Sequence, residues 1–128
     1  MQKKLFEGVR WEVSSSGTLK EPGKSSAIVK VVKDGREVHE AAEGVGPVDA
    51  LFNALFKVTK AIYPKAHDVQ IIDYRVSYED GCGKGAAGKV RVNIKLKRNG
   101  TEGHYTEVSE NILEASFQAL VKGFCRLL

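Results

Sequence analysis

The sequence predicts an α+β fold of two pseudo-symmetric βββα units, antiparallel strands with helices packed on one side. Three observations predict it. The 128-residue chain overlays itself without a gap at a shift of 65 positions. Each copy carries three extended runs and then one amphipathic run. Each copy also places a strong hairpin signal, Asp34-Gly35 or Asn99-Gly100, at the same point.

In the overlay, "AIVKVVKDGREVHE" (27–40) falls on "VNIKLKRNGTEGHY" (92–105). Arg10 meets Arg75, Lys30 meets Lys95, Glu37 meets Glu102 and His39 meets His104. Ala50, Phe52, Ala54 and Leu55 meet Ala115, Phe117, Ala119 and Leu120. Identities number about a dozen, where composition alone gives roughly four. The chain is thus expected to form one domain, 1–128, with internal repeats at 1–63 and 66–128. Two copies are too few for a solenoid, and a pseudo-two-fold pair is expected.

In the first copy, "LFEGVRWEVSS" is an extended run and "SAIVKVVK" the second strand, ending at the Asp34-Gly35 turn. "REVHEAAEG" returns. A helix is expected over 47–63, with Val48, Leu51, Phe52, Leu55, Phe56 and Ile62 on one face and Pro64 at its end. In the second copy, "VQIIDYRVSYE" is the first strand. "KVRVNIKLKR" alternates Val90, Val92, Ile94 and Leu96 with Arg91, Asn93, Lys95 and Lys97. "TEGHYTEV" returns after Asn99-Gly100, and a helix over 110–126 is expected with Ser109 as its N-cap. Six antiparallel strands leave a face or edges to cover, and homodimerisation is a natural way to cover them.

The two strand-to-helix joints differ. "EGVGPVDALFNAL" (43–55) runs through Gly44, Gly46 and Pro47 into the first helix. Proline suits the first helical turn, where its missing N–H costs nothing. The glycines leave a bare, positively polarised helix start that can hold a carboxylate; a plain tight turn is the alternative. The other joint is Ser109-Glu110-Asn111-Ile112.

Composition excludes several classes. Hydrophobic content of 42% with 28% charged residues is that of a globular protein, and no apolar run reaches the roughly 18 residues that span a bilayer. "MQKKLFEGVRW" has no apolar h-region, so no signal peptide is expected and the cytoplasm is the expected compartment. A net charge of +4 demands no nucleic-acid partner, and acidic residues are interleaved with the basic strand 91–98. Cys82 and Cys125 fit no metal or redox spacing.

Short motifs add little. "GCGKGAAGKV" (81–90) contains G-x-G-x-x-G and a near P-loop, but a strand rather than a helix follows it. His39, His67 and His104 lack the further donors that zinc needs; His39 and His104 read as residues of a polar strand face. The serines of "SSSG" (14–17) are expected in a loop without a triad. No catalytic residue and no cofactor are expected in this chain.

"VKVVKDGREVHEAAEGVGPVDALFNAL", "DYRVSYEDG…GAAGKVRV" and "VSENILEASFQALV" together resemble the C-terminal regulatory domain of the α-isopropylmalate synthase family, which includes the citramalate synthases. The resemblance covers about 5–128, and the "DYRV" and "VSENILEAS" wording is more similar to the citramalate synthases. It implies an allosteric, non-catalytic domain that dimerises. Its effector would be a branched-chain amino acid, isoleucine or leucine, acting by feedback inhibition on a catalytic barrel. The parent enzyme would be an acetyl-CoA-dependent acyltransferase using a divalent metal, both held outside this chain.

Carried onto this sequence, the resemblance implies an effector site of Gly44, Gly46, Pro47 and Val48 at the first helix start. From the second copy it implies Ile71, Asp73, Tyr74, Ala86, Ala87 and Val108. An effector carboxylate suits the N–H groups near Gly46, its ammonium suits Asp73, and its side chain suits Val48, Ile71 and Val108. The sequence departs from the family pattern at His104, Tyr105 and Glu107, and Cys82 sits in a lengthened glycine-rich loop. A ligand-free dimerisation module is the alternative reading.

Overall fold

The computed structural model describes residues 5–21, 23–66, 68–79 and 88–128. The chain divides into two compact units, Met1–His67 and Asp68–Leu128. Each is a three-stranded antiparallel sheet followed by a helix, so the fold is two βββα units of the α+β class. His67, Cys82, Ala86, Ala87 and most of the 81–90 glycine motif lie outside the described residues.

The first unit holds β1 (Gly8–Ser16), β2 (Lys24–Lys33), β3 (Arg36–Gly44) and α1 (Pro47–Ile62). The second holds β4 (Gln70–Tyr78), β5 (Val90–Arg98), β6 (Thr101–Ser109) and α2 (Ile112–Leu127). In both sheets the strands lie in chain order, so β2 and β5 are central. Asp34 and Gly35 have φ of 54° and 75°, and Asn99 and Gly100 have φ of 49° and 80°. Two consecutive positive φ values make a tight hairpin turn whose twist matches that of the strands.

Alternation along the central strands sets the core. Ala27, Val29 and Val31 of β2 are buried, as are Val92, Ile94 and Leu96 of β5. The residues between them face away from the helix. In the first unit α1 packs mainly over β2 and β3 and touches β1 least. Its fully buried stripe is Leu51, Ala54, Leu55 and Val58. The expected Val48, Phe52, Phe56 and Ile62 are only half-buried, at the margin of that stripe. The Phe52 and Phe56 rings lie 6.0 Å apart, as residues one helical turn apart can. Buried Thr59 donates to the Leu55 carbonyl at 2.7 Å, so its hydroxyl is satisfied.

Two local expectations are corrected. Ser14 and Ser15 belong to β1, as their place in the extended run predicts, and Ser16 joins them rather than the loop expected for 14–17, because β1 pairs with β2 as far as Ser16 opposite Lys24. The Ser15 and Ser25 hydroxyls share a hydrogen bond of 2.6 Å across that pairing. The N-cap of α2 is Asn111, not Ser109: its Oδ1 accepts from the N–H groups of Leu113 at 2.9 Å and Glu114 at 3.3 Å. Ser109 instead accepts the Asn111 N–H at 3.0 Å and shapes the turn before the cap. The helix therefore starts at Ile112, two residues later than expected. No helix among the described residues is long and apolar enough to cross a membrane.

A close approach fixes the second unit. Tyr105 lies over Gly103, its neighbour on the same face of β6. The ring also reaches Gly123 of α2, beside Leu96. Glycine at both places makes room for one aromatic ring between sheet and helix. A Cβ at Gly123 would meet the Leu96 and Tyr105 side chains. Gly123→Ala is expected to destabilise the fold by about 1–3 kcal/mol, read as a lower urea midpoint with an unchanged m-value.

Burial pushes the Tyr105 phenol above its ordinary value, and the Arg126 charge opposes this. The folded state thus favours neutral Tyr105. Its contribution is full below the unfolded phenol value of about 10 and is lost as pH rises through the higher folded value. Stability measured from pH 8 upward should fall above about pH 10, and the fall should be shallower in Tyr105→Phe.

Candidate functional site

The β3–α1 joint is built by one obligatory glycine and one free one. β3 ends at Gly44, where a Cβ would collide with the backbone of Asp49 and Ala50. The strand end therefore lies directly against the first turn of α1, and glycine is required there by packing. Gly46 is the N-cap of α1, with φ −138° and ψ 177°, an extended geometry open to any residue. A Cβ there would meet nothing within 4 Å. Pro47 opens the helix.

Gly46 has no side chain to cap the helix. The Ala50 N–H closes the first turn on the Gly46 carbonyl at 3.0 Å. The N–H groups of Val48 and Asp49 belong to the turn that a cap would serve. At the equivalent joint of the second unit, Asn111 fills that role with its own oxygen. The Asp49 carboxylate turns back and accepts the Val45 N–H at 2.9 Å. Asn53 donates to the Glu43 carbonyl at 3.0 Å. These two bonds fix the loop without covering Gly46.

Beside the joint lies a cavity of about 480 Å³ lined by Gly23, Lys24, Glu43, Gly44, Val45, Asp49 and Asn53. It offers an ammonium at Lys24, carboxylates at Glu43 and Asp49, and the apolar Val45. A helix N-terminus with a cation favours a carboxylate, and carboxylates favour an ammonium. The site thus suits a small zwitterion. Sequence reasoning missed Lys24 and Asn53, which reach the joint through the β2 start and the second turn of α1. Their signal is faint: Gly23-Lys24 recurs as Gly88-Lys89, and Asn53 lies ten residues after Glu43.

In the first unit Gly44, Gly46, Pro47 and Val48 come together at this joint. In the second unit the named residues divide between the two faces of the sheet. Ile71 pairs with Leu96 and Tyr74 with Ile94, on the side that packs α2. The Tyr74 hydroxyl shares a 2.7 Å hydrogen bond with Ser116, whose Oγ donates to the Ile112 carbonyl at 2.7 Å. Tyr74 thereby anchors the start of α2. A bulge between Ile71 and Asp73 turns Asp73 to the other face, opposite Lys95. There its carboxylate holds Arg75 at 3.0 Å. Val108 is opposite Arg91, on that same outer face, and is 37% exposed. Ala86 and Ala87 lie outside the described residues.

Glu107 lies opposite Val92 on the helix side, and its carboxylate meets Lys122 of α2 at 2.6 Å. Its charge is thus balanced within the unit. Three cations of the basic strand are likewise paired. Arg91 grips Glu79 with two bonds of 2.8 Å, Lys95 meets Glu102 at 3.1 Å, and Arg98 meets Asp68 at 3.1 Å. His39 lies opposite Lys30 and His104 opposite Lys95, both exposed. Among the described residues no group of three or more His, Cys, Asp or Glu could hold a metal ion.

Internal duplication of a βββα unit, with one joint capped and one open, defines the class: a duplicated α+β domain with a small-molecule-sized recess. The chain belongs to the LeuA allosteric (dimerisation) domain family, whose profile matches residues 2–128. It is 43% identical over 97 residues to an (R)-citramalate synthase of Synechocystis sp. and 45% identical over 101 residues to one of Geobacter sulfurreducens. Each match covers 76% of this chain and 18% of the relative. It is 36% identical over 99 residues to a 2-isopropylmalate synthase of Shewanella frigidimarina, covering 77% of this chain and 17% of the relative. The chain thus spans less than a fifth of the length of these curated relatives.

Asn111→Ala should cost about 1 kcal/mol, because two N–H groups lose their cap; chemical denaturation measures it.

Proposed function

We propose that this chain is the regulatory domain of a longer 2-isopropylmalate or citramalate synthase and binds a branched-chain amino acid, isoleucine or leucine, for feedback inhibition. The family and the names of its relatives support the parent enzyme. That parent is an acetyl-CoA-dependent acyltransferase of the cytoplasm. Its catalytic barrel holds the acetyl-CoA and divalent-metal chemistry, and this domain acts as a homodimer upon it. The chain's own residues bind the effector and carry no catalytic step.

The observation that carries the effector reading is the uncapped start of α1 at Gly46 beside a recess of mixed charge. The effector carboxylate occupies the place that the Asn111 oxygen takes in the second unit. Its ammonium meets the carboxylates of the recess, and its branched side chain takes the apolar residues. Ile71, Asp73, Tyr74 and Val108, with Ala86 and Ala87, belong to the proposed site through the family resemblance. Inhibition follows where the effector binds one state of the whole enzyme better than the other.

One observation favours a second reading. Asp49 already sets a carboxylate in the first turn of α1. A negative charge there competes with an effector carboxylate, as in a dimerisation module that has no ligand.

Thermal denaturation with isoleucine, leucine, valine and lysine separates the two. An effector at about 100 times its dissociation constant should add roughly 2.7 kcal/mol, several degrees for a domain of this size. Gly46→Asn should retain or slightly raise the basal Tm by capping α1 as Asn111 caps α2, yet lose the effector response. No response to any of the four amino acids leaves the dimerisation module.

A further inference from the structure

A three-stranded sheet has two edges, and an uncovered edge is a template for another strand. The edges here are treated differently. On β3, the carbonyls of Ala41 and Glu43 accept from Lys57 and Asn53 of α1. On β6, the Thr106 carbonyl accepts from Lys122 of α2, at the equivalent repeat position. Helix side chains thus occupy both of these strands. On β4, the bulge between Ile71 and Asp73 breaks the register. Among the described residues β1 shows neither a register break nor a helix side chain bonded to its carbonyls. Its register with β2 runs unbroken from Gly8 opposite Val32 to Ser16 opposite Lys24. Among the described residues no strand pairs with its other edge.

The chemistry of β1 is self-complementary. Its centre reads Val9-Arg10-Trp11-Glu12-Val13. Turned antiparallel about Trp11, valine meets valine, arginine meets glutamate, and tryptophan meets itself. The charges also suit such a partner. Arg10 lies opposite Lys30, and Lys30 opposite His39, a row of basic side chains across three strands. Like charges directly opposite one another destabilise a sheet. Among the described residues neither Arg10 nor Lys30 has an ion pair. On the helix side, Val9, Trp11 and Val13 are only partly covered, since α1 packs mainly over β2 and β3.

We propose that the chain dimerises by antiparallel pairing of β1 with β1 of a second copy, about a two-fold axis at Trp11. The two first-unit sheets become one six-stranded sheet. Arg10 faces the second copy's Glu12 and Glu12 the second copy's Arg10, so the basic row gains a carboxylate. Val9 and Val13 of the two copies continue the apolar strip across the axis. The inference rests on the chain's reading as a dimerisation domain and names the surface that does it.

Sedimentation equilibrium of the full chain tests this. The wild type should self-associate. Glu12→Arg and Arg10→Glu should each weaken association about tenfold or more, because every opposite-charge pair becomes a like-charge one. The two changes together should restore it, since the exchanged strand is again self-complementary. Both side chains are exposed, so a thermal melt should show each variant folded. In a glutathione redox buffer, Trp11→Cys should form a reducible cross-linked dimer that the wild type does not form, as facing residues of antiparallel strands lie about 4.5–5.5 Å apart between Cα atoms. A dimer indifferent to both single reversals, or weakened by them and not restored by the exchange, overturns the β1 interface and leaves the dimerisation reading standing. A wild-type chain that stays monomeric at every concentration overturns both.

Discussion

The clamp of one amphipathic helix over one central strand holds each unit together. A three-stranded sheet alone has no core. β2 gives Ala27, Val29 and Val31 to the helix side, and β5 gives Val92, Ile94 and Leu96. Leu51, Leu55 and Val58 of α1 are buried in the first unit, and Ala119, Leu120 and Phe124 of α2 in the second. Burying each large side chain gains about 1.5–3 kcal/mol. The joints follow from this clamp. The chain must leave the sheet and enter the helix within a few residues, so backbone at Gly44 is forced against Asp49 and Ala50. In the second unit the same demand for closeness falls on Gly103 and Gly123, which accept the Tyr105 ring.

Duplication makes the differences between copies informative. The same joint is finished with Asn111 in one copy and left open at Gly46 in the other. Packing accounts for Gly44 but not for Gly46, which has free space around it and an unstrained φ. A residue that neither sterics nor backbone geometry demands is the better candidate for function. Tyr74 shows the converse. Its hydroxyl bond to Ser116 gives it a structural task at the start of α2, whatever else it contacts.

Most of the fold was legible in the sequence, because its signals are local. Period-two alternation in 90–97, the Asp34-Gly35 and Asn99-Gly100 turns and the 65-residue repeat name the strands, hairpins and duplication without tertiary knowledge. The misreadings occurred where two local options have similar chemistry. Ser109 and Asn111 are both good caps, and only the helix start decides between them. Ser16 reads as loop by composition, but pairing with β2 extends the strand to it. The site was legible only in part. Gly46 and Pro47 carry a local signature, whereas Lys24 and Asn53 converge on the recess through the fold. The facing of Asp73 depends on a bulge that no residue of "QIIDYRV" announces.

Among the described residues the second unit holds five ion pairs within itself. Its ion pairs join Asp73 to Arg75, Glu79 to Arg91, Lys95 to Glu102, Asp68 to Arg98 and Glu107 to Lys122. Its helix is capped from within. The first unit keeps a basic row at Arg10, Lys30 and His39 and an uncapped helix at Gly46. Arg10, Lys30 and His39 are exposed, so water solvates them at little cost, and a partner's carboxylate can take the place of that water. The first unit therefore leaves exposed groups that a ligand or a second copy can meet, while the second unit pairs the equivalent ones within itself.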